Sequence, residues 1–163
     1  MAGYQARPPR NSSLGTRNSS LVTRHSELVT RREELLGGES EWAFETDKAW
    51  DAIHRSLTDG DLTYDNGTYP LSHVIMGGEP IYFEDDYIMS LKTPEQVRDV
   101  ARALRGFTRE QLHAGYTQIT RAMYGSEPTE EDFEYTWSNF QELPEFWARA
   151  AAAGRFVLFT ADQ

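Results

Sequence analysis

The chain has 163 residues, 39 % of them hydrophobic and 12 % aromatic, enough for one domain-sized core. It has no cysteine, which excludes disulfides, thiolate metal centres and cysteine nucleophiles and fits a reducing cytoplasm. Its net charge of −10 is unevenly spread: residues 1–36 hold six arginines and three glutamates, and all the excess acid lies beyond them. Because neutralising phosphates needs clustered cations, the acidic part is not expected to bind nucleic acid, whereas a basic protein partner suits it. No apolar run approaches the ~18 residues of a membrane span, and the N-terminus lacks the apolar stretch of a secretory signal, so no membrane association is expected.

The first 36 residues carry a seven-residue repeat, NSSLGTR, NSSLVTR, HSELVTR, then RREELLG, with leucines at Leu14, Leu21, Leu28 and Leu35. The alternate heptad positions are Asn11, Asn18, His25 and Arg32, poor seam residues, and Ser, Thr and Asn compete with the helical backbone for hydrogen bonds. A flexible low-complexity tail is expected, with helix favoured only from Ser26 to Leu36; a docking or self-associating helix is the other reading.

From residue 37 the composition becomes that of an acidic domain, expected to run to 163. Trp42 and Phe44 alternate with polar residues, a strand signal. Thr46 is placed to cap a helix from Asp47 to about Leu57, with Trp50, Ile53, His54 and Leu57 on one face and Trp50 as its core anchor. Residues 58–70 have loop composition, and Asp59, Asp61 and Asp65 lack the spacing and terminal Glu of a calcium-binding EF-hand. Pro70 to Met76 reads as a short helical turn or strand ending at Gly77-Gly78. Two apolar segments, 81–83 and 87–89, flank an acidic loop at 84–86.

Helix punctuation is clearer further on. Thr93-Pro94-Glu95-Gln96 is a capping box with proline at the first helical position, followed by Val97, Val100, Ala101 and Leu104, with Gly106 as the stop. Thr108-Arg109-Glu110-Gln111 is a second box, leading to Leu112, Tyr116, Ile119 and Met123, with His113 off that stripe and expected at the surface. Thr129 opens an acidic helix carrying Phe133, Trp137 and Phe140. Pro144 predicts a kink or restart near Leu143, and Gly154 stops the helix. Arg155 to Thr160 is a nearly continuous apolar strand, expected to be central with both faces covered.

The candidate ligand-binding residues are Asp47, Lys48, Asp51, His54, His73, Gly77 and Gly78. In one reading Lys48 attracts an anion and a histidine oriented by an aspartate acts as general base. In the other, Asp47 offsets the helix dipole, and His54 is a core-edge histidine bonded to a carbonyl. No nucleophile elbow, phosphate-binding glycine loop or metal-ligand spacing is present, so no catalytic residue, metal or cofactor is assigned.

In this order DKAWDAIH (47–54), PLSHVIMGG (70–78), TPEQVRDVARAL (93–104) and NFQELPEFWARAAAAGRFVLF (139–159) resemble the YfbM-like family of small bacterial proteins of unknown function, over about residues 42–160. The resemblance implies a single α+β domain, a small sheet packed by about four helices, and no established activity. Family members open with a Met-Gly strand and a helix, where this chain has its repeat. The functional expectation is a non-enzymatic binding or protein-interaction module whose acidic surface meets a basic partner. The alternative is a small-molecule-binding protein or enzyme using Asp51, His54 and His73.

Overall fold

The structure, a computed structural model, describes residues 42–82 and 87–162. The expectations for residues 1–36 and for the acidic loop at 84–86 lie outside the described residues. Every helix and strand among the described residues belongs to the unit that begins at Phe44.

The predicted strand at Trp42 and Phe44 does not form: Trp42 lies in a turn, and Phe44 packs its ring on Phe146, centroids 5.9 Å apart. A two-residue alternation is too short to outweigh that tertiary contact. Thr46 is not a side-chain cap either. Asp47 to Ala49 form a 3-10 turn instead, with Asp47 at φ 45° and its carboxylate accepting from the Tyr135 hydroxyl at 2.8 Å. The α-helix therefore starts three residues later than expected, as α1, Trp50–Leu57. It is buried on more than one face, from Ala52 through Leu57.

The loop after α1 is fastened by a charge inside the protein. Arg55 donates from Nε to Asp51 Oδ1 and from Nη1 to the Gly60 carbonyl, both at 2.5 Å. Its guanidinium is thus paired and hydrogen-bonded, the condition for burying a charge at tolerable cost. Of the two forms expected between Pro70 and Met76, a helical turn or a strand, the turn is made, as Leu71–His73 in 3-10 geometry.

Strand β1, Glu79–Pro80, is followed by β2, Tyr87–Lys92. Two helices with complete capping boxes come next: α2, Pro94–Leu104, capped by Thr93 and Gln96, and α3, Arg109–Tyr116, capped by Thr108 and Gln111. A short α4, Arg121–Tyr124, leads to α5, Glu130–Phe140, where the Thr129 side chain accepts from the Asp132 amide. The chain restarts as α6, Leu143–Ala152, at the predicted point, because Pro144 is harmless in a first turn and disruptive within one. Strand β3, Val157–Asp162, ends the described chain.

The sheet is antiparallel, in the order β1-β2-β3, with Glu79 opposite Leu91 and a β2–β3 register running from Tyr87 opposite Asp162 to Lys92 opposite Val157. Among the described residues the middle strand is β2. The C-terminal strand, which its apolar composition placed at the centre, pairs among the described residues with β2 alone and is partly exposed over much of its length. Its apolar residues serve the helices: Phe159 packs on Trp50 at 5.8 Å. Trp50 is itself half-buried, and the fully enclosed tryptophan is Trp147, among Phe133, Phe140, Val97, Val100 and Leu104.

The helices approach each other closely. At Gly115 of α3 a Cβ would stand 1.8 Å from the Ser56 carbonyl of α1, so only glycine permits this crossing. His113, expected at the surface, has its side chain 37 % exposed, with Nε2 3.4 Å from Glu130 Oε2 and its ring in a T-shaped contact with Phe133, centroids 4.5 Å apart. No helix among the described residues is long and apolar enough to cross a membrane.

Candidate functional site

The chemically capable groups that converge in this fold do so around Lys92, the last residue of β2. Strand periodicity puts Ile88, Ser90 and Lys92 on one side of the middle strand, and all three are buried. The Lys92 amine is 0 % exposed. It donates to the Ile75 carbonyl and, at 2.6 Å, to Ser90 Oγ, and it lies 5.4 Å from the centre of the Phe159 ring. Desolvation by burial holds its pKa well below the usual lysine value.

Two histidines sense this amine. His54, on the inner face of α1, is 1 % exposed, and both its ring nitrogens lack a hydrogen-bond partner. Burial and the neighbouring Lys92 lower its pKa to about 4. The Thr63 main chain works in the opposite direction, without making a hydrogen bond to either nitrogen. His54 is therefore a neutral imidazole at physiological pH. It is deeper than a core-edge residue, and the carbonyl bond expected for it is not made.

His73, in the 3-10 turn, is half-buried, and its pKa is lowered by burial and then by Lys92. Its Nδ1 lies 3.1 Å from Ser72 Oγ, and the Tyr69 ring meets it edge-on at 4.9 Å. The Tyr69 hydroxyl in turn donates to Asp99 Oδ2 at 2.5 Å, tying this turn to α2. Gly77 and Gly78 complete the floor. A Cβ on Gly77 would stand 2.7 Å from His73 Nδ1, and Gly78, at φ 121°, lies against the Leu91 carbonyl and the Lys92 side chain.

Four of the seven residues picked out from the sequence, His54, His73, Gly77 and Gly78, thus gather about one centre. The other three do not. Asp51 turns to Arg55, Asp47 is held by Tyr135, and Lys48 is exposed. Sequence reasoning missed Lys92 and Ser90 because the apolar segment was read as ending at Met89. Extending the segment by two period-two steps from Ile88 puts both polar groups on its buried face.

In chemical terms the centre is an amine whose pKa burial lowers, hydrogen-bonded to a hydroxyl, the elements of a serine–lysine general-base pair. Ser90 and Lys92 are both 0 % exposed, so this conformation presents neither to a substrate. The pair holds β2 to the Ile75 turn and leaves no reactive atom at the surface.

The family model described as a domain of unknown function (DUF1877) matches residues 16–160, beginning inside the repeat tract. Among solved structures, the crystal structure of YfbM from Escherichia coli, described as a protein of unknown function, is similar with a TM-score of 0.57. That likeness has 20 % identity over 88 % of this chain and 94 % of the other, and it concerns the fold alone. No curated protein matches.

Proposed function

The chain belongs to the DUF1877 family, and from that premise we propose that it is a non-enzymatic recognition module that meets a basic protein partner through its acidic surface. The observation that carries this reading is the separation of chemistry from solvent: the amine, hydroxyl and imidazole that converge are closed inside, while the charge stands outside. Asp59, Asp61 and Asp65 are exposed on one loop, as are Glu127 shortly before α5 and Glu131 and Glu134 in its first turns. Clustered surface charge of one sign steers and selects partners of the other.

The test uses the full chain and an arginine-rich peptide as probe. Binding should weaken with salt and be lost when Glu127 and Glu131 are changed to lysine, with the circular dichroism spectrum unchanged. Indifference to both salt and charge reversal overturns the reading.

One observation favours a second reading: the two unpartnered nitrogens of His54 beside the half-exposed His73. In it a small molecule enters along His73 toward His54, with Asp51 one turn earlier on α1. A ligand at about 100 times its Kd adds about 2.7 kcal/mol of apparent stability. A metabolite panel that produces such a shift, abolished by His73→Ala without unfolding, selects this reading over the first.

A further inference from the structure

The exposed basic groups are not scattered evenly over the acidic molecule. Arg98 and Arg102 on α2 and Arg105 at its end are all exposed, and all three line one groove of about 660 Å³ between α2 and α6. Positions 98, 102 and 105 stand one turn apart on a single face, spreading three guanidinium groups over about 10 Å of the helix. Arg102 is partly satisfied by Asp99, although its side chain is 72 % exposed. Neither Arg98 nor Arg105 makes an ion pair or a side-chain hydrogen bond among the described residues.

The opposite wall, from α6, is apolar at Pro144, Ala148, Ala151 and Ala152 and carries one acid, Glu145, which pairs with Arg149 at 3.2 Å. The site thus offers two kinds of surface side by side: a row of cations and a shallow apolar trough. A compact anion such as phosphate would engage one end of the row and leave the trough unused. A nucleic acid would continue past the row onto Glu95, one turn before Arg98, and Glu142, just ahead of Pro144, both exposed acids that repel phosphates. An amphipathic helix fits both surfaces. Its small apolar side chains lie in the trough, and carboxylates two turns apart along its flank reach Arg98 and Arg105, where guanidinium and carboxylate pair in a bidentate manner.

We propose that the groove between α2 and α6 is a docking site for an acidic amphipathic helix of a partner protein, read by Arg98 and Arg105. It goes beyond the recognition of a basic partner by the acidic face, and the two stand or fall separately because they use surfaces of opposite charge.

The experiment is fluorescence anisotropy of the full chain with a labelled Leu/Ala/Glu peptide of about 15 residues, the length at which a helix begins to hold. Its glutamates are placed two turns apart on one flank, and the control has glutamine there. The glutamate peptide should bind, weaken with salt, and lose roughly tenfold or more in affinity to the Arg98→Glu/Arg105→Glu double variant, as expected when two charge pairs are reversed. Ala148→Phe, which fills the trough without touching charge, should weaken it as well. Binding of the glutamine control with equal affinity, insensitivity to charge reversal, or absence of binding to the folded wild type overturns the proposal. So does displacement of the peptide by inorganic phosphate or an oligonucleotide at lower concentration than unlabelled peptide. Concentration-dependent self-association abolished by the same arginine changes also overturns it, because a second copy is then the occupant.

Discussion

Protonating His54 means placing a cation where both ring nitrogens lack partners and the charges acting on it are the cations Lys92 and Arg55, so the residue couples folding to pH. Its folded pKa, about 4, lies below the ordinary 6.5. The unfolded chain therefore takes up the proton first. The associated stability is complete above about pH 6.5 and is lost as the pH falls toward 4, a change of roughly 3 kcal/mol. Urea unfolding of wild type and His54→Leu across that window should diverge by this amount, the variant lacking the loss. Because the ring makes no hydrogen bond, the same variant should lose less than about 1.5 kcal/mol at neutral pH. Lys92 acts at the other end of the scale. Its depressed folded pKa means the unfolded chain again binds the extra proton, so stability rises with pH from the lowered value up to the ordinary lysine value near 10.4. Chemical denaturation of Lys92→Met from neutral to pH 10 should show that rise removed.

Among the elements, the sharpest constraint is the crossing of α1 and α3 at Gly115. Gly115→Ala must push the Ser56 backbone away, which is rigid, unlike a side chain. A loss of roughly 3 kcal/mol is expected from equilibrium unfolding, the upper part of the range for overpacking. Thr93→Ala and Thr108→Ala each remove one capping box, and each should cost about 1 kcal/mol. The contrast between these two kinds of residue explains what could be read in advance. A capping box is written within four consecutive residues, so α2 and α3 were legible, and the proline at 144 made the restart at Leu143 legible too. The tolerance at Gly115 depends on a carbonyl 59 positions away in the chain, and no local pattern announces it. The same holds at the candidate site. His54, His73, Gly77 and Gly78 were visible as unusual residues, but the lysine that brings them together belongs to a strand whose length is set by its pairing with Val157–Asp162. Thr46 failed as a cap because a distant tyrosine, Tyr135, holds the next residue in another conformation.

At the scale of the whole molecule, stability is centred on the helices rather than on the sheet. Trp147 is 1 % exposed among residues of α2 and α5, whereas Trp50 covers the face of β3 and is half-buried. Trp147→Ala should cost about 3–5 kcal/mol, as a large core truncation does. Trp50→Ala should cost roughly 2 kcal/mol, in proportion to the apolar area it hides. Comparable losses in thermal or urea unfolding would mean that the sheet carries as much of the core as the helices do.

The enclosure of Lys92 has one more consequence, because the chain contains only two lysines, and the other, Lys48, is exposed. An amine-reactive reagent therefore meets one lysine side chain on the native surface and a second only when β2 parts from the Ile75 turn. The two sites act as a reference and a gauge within the same molecule. The rate at which Lys92 is modified relative to Lys48 measures how often the interior opens. A ligand or partner that clamps the fold would register as a slower clock at one residue, without any assay of what the protein does.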